Sequence, residues 1–155
     1  KILTMFDNPI EIYKKINRFA QENGMKLTVK TPGKSLYKMT VLEKHLSSPN
    51  VCHGGVVAGF MDSVMGSAAL SVSFQSQALV STVEFKINYF KPVYLHDQLE
   101  GIGEVDFEGK KLISSTGTIY RTKGEQKELI AKAIGTFNKY PLHKTEFSNL
   151  FKIEK

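Results

Sequence analysis

Residues 54–74 form a segment that is apolar on every face of a helix: Gly-Gly-Val-Val-Ala-Gly-Phe-Met-Asp-Ser-Val-Met-Gly-Ser-Ala-Ala-Leu-Ser-Val-Ser-Phe. A helix with no polar face has to be enclosed by other elements. Small residues such as Ala58, Gly59, Gly66 and Ala68 let a sheet wrap closely around it. Leaving histidine aside, Asp62 is the one charged side chain between Lys44 and Glu84. Burying a lone carboxylate is costly unless it is hydrogen-bonded. Asp62 is therefore either a structural residue with a partner or a residue placed for chemistry.

The flanking sequence supplies the enclosing elements. Residues 8–22 read as an amphipathic helix, with Ile12, Ile16 and Phe19 at helical spacing, Asn8 as N-cap and Pro9 in the first turn. Asn23-Gly24 ends it. Strands follow over 25–30 and 35–42, joined at Pro32-Gly33, and a polar loop over 45–52 leads into the long helix. The second half alternates as strands over 82–92, 99–107, 112–121 and 128–137, with turns at Glu108-Gly109-Lys110 and around Gly124. In the first of these, Val83, Phe85, Ile87 and Tyr89 face one way and Thr82, Glu84, Lys86 and Asn88 the other. Residues 1–24 are a helical extension, 25–138 the main body and 139–155 a peripheral tail. The order predicts one α+β domain, with an antiparallel sheet packed on the apolar helix.

Composition narrows the function. The net charge of +6 is dispersed, with no basic run and no aromatic-basic motif for nucleic acid. No apolar run reaches the length of a membrane span. No leader segment is visible in the first residues, and the single cysteine, Cys52, suits a reducing compartment, so a cytoplasmic protein is expected. The four histidines, His45, His53, His96 and His143, have no metal-ligand spacing, and no metal or redox cofactor is expected.

A helix N-terminus leaves backbone N–H groups unpaired and carries partial positive charge. Gly54 and Gly55 remove the side chains that would block approach to it. Such a turn is half an oxyanion hole. Asp62 lies seven residues beyond Gly55, a rise of about 10 Å, so it cannot reach a carbonyl bound at its own helix start. If both serve one reaction they come from two subunits, with two helices antiparallel across a two-fold axis.

The run His53-Gly54-Gly55 followed by an acid at Asp62, together with Phe90-Lys91-Pro92 closing the strand after the helix, resembles the hotdog-fold acyl-CoA thioesterases of the phenylacetate-pathway (PaaI-like) type. The similarity covers residues 25–138. It implies a curled sheet around the central helix and a homodimer or dimer of dimers that hydrolyses an acyl-CoA. Coenzyme A enters only as part of that substrate. By the same resemblance, the Gly55 N–H polarises the thioester carbonyl, Asp62 of the partner activates water, and the Thr82 hydroxyl holds that water. His53 supports the turn. Ser47 stands where such enzymes often carry an asparagine, with Ser48 and Asn50 nearby. An acyl groove is expected along Val57, Phe60, Met61 and Met65, and Lys91 and Arg121 are candidates for coenzyme A phosphates. A non-catalytic acyl-CoA binding protein is the alternative.

Overall fold

The computed structural model describes residues 7–146. Two short helices, α1 (Asp7–Ile16) and α2 (Arg18–Glu22), precede strands β1 (Lys26–Thr31) and β2 (Lys34–Thr40). A small hairpin, β3 (Leu46–Ser48) and β4 (Val51–Cys52), leads into α3 (Gly54–Ser73). The strands β5 (Ala78–Tyr89), β6 (Gln98–Glu108), β7 (Leu112–Lys123) and β8 (Gln126–Pro141) follow. The main sheet has six antiparallel strands in the order β1-β2-β6-β7-β8-β5. It curls around α3, which touches every one of these strands. This is the hotdog arrangement that the resemblance implies.

Close approach makes the curl possible. A Cβ at Gly103 on β6 would overlap the Val64 carbonyl, and one at Gly117 on β7 would lie 2.5 Å from Met61 Sδ. Sheet hydroxyls also reach the helix backbone. Ser35 Oγ donates to the Val64 carbonyl at 2.6 Å and Ser115 Oγ to that of Met65 at 3.1 Å. Phe60, Met61, Val64 and Met65 are completely buried as a result, each worth about 1.5–3 kcal/mol.

Several details depart from the sequence reading. The expected helix over 8–22 starts by Asp7 and breaks at Asn17. Asn17 Oδ1 accepts from the Ala20 N–H at 3.0 Å, and its amide donates to the Tyr13 hydroxyl at 2.7 Å. An asparagine that caps a new helix this way competes with continuing the old one. The loop over 45–52 contains the β3–β4 hairpin. The start of the expected tail belongs to the sheet, since β8 runs on until Pro141 pairs with Ala78; residues 147–155 lie outside the described ones. Finally, α3 and the turn after it span 23 residues, Gly54–Ser76, long and apolar enough to cross a membrane. The sequence reading allowed no such run; here the sheet encloses it.

The edge strand β5 holds the detail that matters most for the site. Thr82 pairs with Phe137 and Glu84 with Thr136, which leaves Val83 as an extra, bulged residue. A bulge re-phases side-chain alternation. Phe85 and Ile87 remain on the covered face, whereas Val83 is 57% exposed. Thr82 moves to the helix side, against the expectation that it faces with Glu84.

Candidate active site

The site begins at the α3 N-terminus. His53 is the N-cap, and its Nδ1 accepts the Gly55 N–H at 2.8 Å. That bond fixes the neutral tautomer with the proton on Nε2. His53 is itself held by its N–H, which donates to the His45 carbonyl at 2.8 Å. His45 is buried, accepts the Leu42 N–H at Nδ1, and faces Asn23 Oδ1 through Nε2. Burial pushes its pKa below the ordinary imidazole value.

The cap corrects one expectation. The Gly55 N–H, the expected oxyanion donor, is already taken by the imidazole. Among the described residues, the N–H at this turn with no partner is that of Gly54, one residue earlier. The two glycines have different reasons to be glycine. A Cβ at Gly55 would lie 2.8 Å from His53 Nδ1, whereas one at Gly54 would meet nothing within 4 Å. Gly55→Ala is expected to force the imidazole off the helix start and cost about 1 kcal/mol, the usual value of an N-cap. Chemical denaturation measures this; an unchanged midpoint would remove the cap from the account. Tyr89, which the sequence reading passed over, steadies the same turn: its hydroxyl donates to the Gly54 carbonyl at 3.1 Å. A shallow cleft of about 300 Å³ opens here, lined by Gly54, Val57, Tyr89, Phe90 and Lys91 among others.

Asp62 sits two turns along α3, on a stripe with Gly59, Ser63 and Gly66 that the sheet leaves half-covered. Thr82 Oγ1 donates to Asp62 Oδ1 at 2.8 Å. Burial pushes the Asp62 pKa above the ordinary carboxylate value, and the Thr82 hydrogen bond opposes that push. The carboxylate faces a second, larger cleft of about 490 Å³ between α3, β5 and the α1–α2 corner. Tyr13, Asn17 and Phe19 line it. These residues were missed as site residues because their spacing reads simply as a core-facing helix.

Other expected residues fall elsewhere. Phe60, Met61 and Met65 are sealed in the core under β6 and β7, so they line no acyl groove; Val57 keeps one surface on the Gly54 cleft. Their apolar run is the signature of a helix enclosed by sheet, which sequence alone does not separate from a groove. Arg121 is not a free cation. It pairs with Asp97 at 2.8 Å and Glu128 at 3.1 Å, and donates to the Pro92 carbonyl at 3.1 Å. Lys91 pairs with Glu128 at 2.5 Å on the surface. Ser47 and Asn50 lie on the exposed β3–β4 hairpin and line neither cleft, Asn50 with φ of 66°. Cys52 is buried, and burial with the nearby Asp97 charge pushes its thiol up to about 11. That leaves too little thiolate for a nucleophile. Among the described residues, no cluster of histidine, cysteine and acids has the shape of a metal site.

Comparison with known proteins places this geometry in a family. A putative esterase of Saccharolobus solfataricus is 28% identical over 130 residues, 82% of this chain and 86% of that protein. The Escherichia coli PaaI protein of the phenylacetic acid degradation operon superposes with a TM-score of 0.76 at 20% identity, over 88% of this chain and 93% of that one. A Streptococcus mutans protein solved with acetyl-CoA bound superposes with a TM-score of 0.65 at 22% identity, over 76% of this chain and 89% of that one. The sequence model of the thioesterase superfamily matches residues 49–128, a stretch that holds the capped glycine turn, Asp62 and Thr82. With that match on the hotdog fold, the chain belongs to the thioesterase superfamily.

Proposed function

We propose that this protein hydrolyses an acyl-CoA thioester at a site shared by two copies of the chain. The observation that carries the reading is the pairing of two incomplete half-sites on one helix. One is the Gly54 N–H, which has no partner among the described residues and sits at an exposed turn; the other is a half-buried, hydroxyl-braced carboxylate at Asp62. They are eight residues apart, about 12 Å along the helix, too far for one bound carbonyl.

The edge strand offers the route to assembly. β5 ends the sheet and is 12 residues long, with much of its length exposed. A long open edge invites pairing with another strand. Two copies of β5 paired antiparallel would set two α3 helices antiparallel beneath them. Each Gly54 would then approach the partner's half-site around Asp62. The thioester carbonyl is polarised by the Gly54 N–H, and Asp62 of the other copy takes a proton from water as that water attacks. Thr82 holds the carboxylate in position and opposes the upward push that burial gives its pKa. The acetyl-CoA bound by the Streptococcus mutans relative supports a coenzyme A thioester as the substrate class.

The direct test is free-thiol release from short, medium, long and aromatic acyl-CoAs. Release from at least one class is expected. Binding throughout without release would instead favour a non-catalytic acyl-CoA binding protein. Ser47 favours that second reading, because the resemblance implies an asparagine at its position.

Thr82 gives a sharper test. Thr82→Val keeps the shape and removes the donor. The hydrogen bond lowers the Asp62 pKa, so losing it raises that pKa. The acid limb of the kcat profile is expected to move to higher pH, with a smaller loss at alkaline pH. An unmoved limb with a uniformly lower rate would assign Thr82 to holding water rather than tuning the base.

A further inference from the structure

Resting on the thioesterase reading, we propose that the α1–α2 corner is the end wall of the acyl pocket, and that Phe19 sets the length of acyl chain admitted. The cleft containing Asp62 and Thr82 continues away from them between Ile16 and Phe19 on one side and Leu70, Leu79 and Phe137 on the other. These walls are apolar, and about 490 Å³ is within the range of ligand pockets. A thioester whose carbonyl carbon is held at Asp62 has its acyl tail pointed into this space.

The wall is built to stay in place. Gly59 has no side chain, and a Cβ there would lie 2.8 Å from the edge of the Phe19 ring. The ring therefore rests flush against α3. The corner behind it is locked by the Asn17 cap, by the Asn17–Tyr13 hydrogen bond at 2.7 Å, and by Gln21 Nε2. That amide donates to the carbonyls of Lys14 at 2.9 Å and Lys15 at 2.7 Å. Phe19 nonetheless remains 50% exposed. A large aromatic ring pinned one helical turn from Asp62 on one side and open on the other is a surface that limits how far an apolar tail can run. On the facing helix stripe, Gly66 and Ser63 keep the passage wide.

The test compares kcat/KM for butanoyl-, octanoyl-, dodecanoyl- and hexadecanoyl-CoA in the wild type, Phe19→Ala and Ser63→Leu. Removing the ring is expected to raise the dodecanoyl-to-butanoyl ratio by about tenfold, and filling the passage to lower it by about tenfold. Thermal melts check that each variant is folded, and the two opposite shifts guard against one variant failing to fold. Ratios within about twofold of wild type in both folded variants would overturn the proposal. If wild type releases no thiol from any of the four or from an aromatic acyl-CoA, hydrolysis itself is refuted. The wall is then judged on calorimetric dissociation constants for the same thioesters: opposite shifts in the two variants support it, and unshifted constants overturn it.

Discussion

Asp62→Asn is expected to lose ~10²–10⁴-fold in kcat while making the protein more stable at neutral pH. The first effect follows from removing the base. The Asn carbonyl oxygen still accepts the Thr82 hydroxyl, so the loss reads chemistry rather than a disordered site. The second follows from linkage. Burial raises the Asp62 pKa in the folded chain above the unfolded value of ~3.9. Between those two values the native chain holds a proton that the unfolded chain has lost, so stability falls as pH rises through that window. Above the window the full cost of keeping a half-buried carboxylate ionised is present. Asparagine never incurs it. The variant should therefore melt at a higher temperature than wild type near neutral pH, and the gap should close as pH falls through the window. Full turnover in this variant would sink the mechanism. A lower melting temperature at neutral pH would mean that the carboxylate is a structural partner after all.

The second large effect is a recovery. Gly54→Val and Asp62→Asn are each expected to be nearly inactive alone. Valine at Gly54 projects into open space, since nothing lies within 4 Å of its Cβ, and φ there is not positive. It leaves the fold alone and covers the approach to the N–H. If each site takes Gly54 from one chain and Asp62 from the other, a heterodimer of the two variants has one site with both lesions and one with neither. Random re-pairing makes half the dimers mixed, so about one quarter of wild-type activity should return. Thiol release before and after subunit exchange measures it. No recovery, with mixed dimers demonstrated by mass spectrometry, would place both groups of each site in a single chain.

Much of this was legible in the chain. The all-round apolar helix dictated a wrapped sheet, and the isolation of Asp62 marked it as the residue to explain. Some of the site was not legible because it depends on who reaches a group first. Sequence offers two N–H groups at Gly54-Gly55; only folding shows that the His53 imidazole takes the second. Arg121 reads as a free cation until Asp97 and Glu128, distant in sequence, fold against it. Met61 and Met65 could equally have lined a groove or a core until the positions of Gly103 and Gly117 showed how closely the sheet descends. The amphipathic pattern of the first helix gave its apolar face correctly but not its break at Asn17, a capping choice that periodicity does not register.

Val83 contributes no atom to the proposed reaction, yet it determines which way Thr82 looks. The information at that position is a count, not a chemical kind. Many side chains could stand there in solvent with the strand undisturbed, but a chain one residue shorter would turn the Thr82 hydroxyl outward and leave Asp62 without its donor. The edge of the sheet in this chain thus tolerates spelling changes at residue 83 and forbids a change of length.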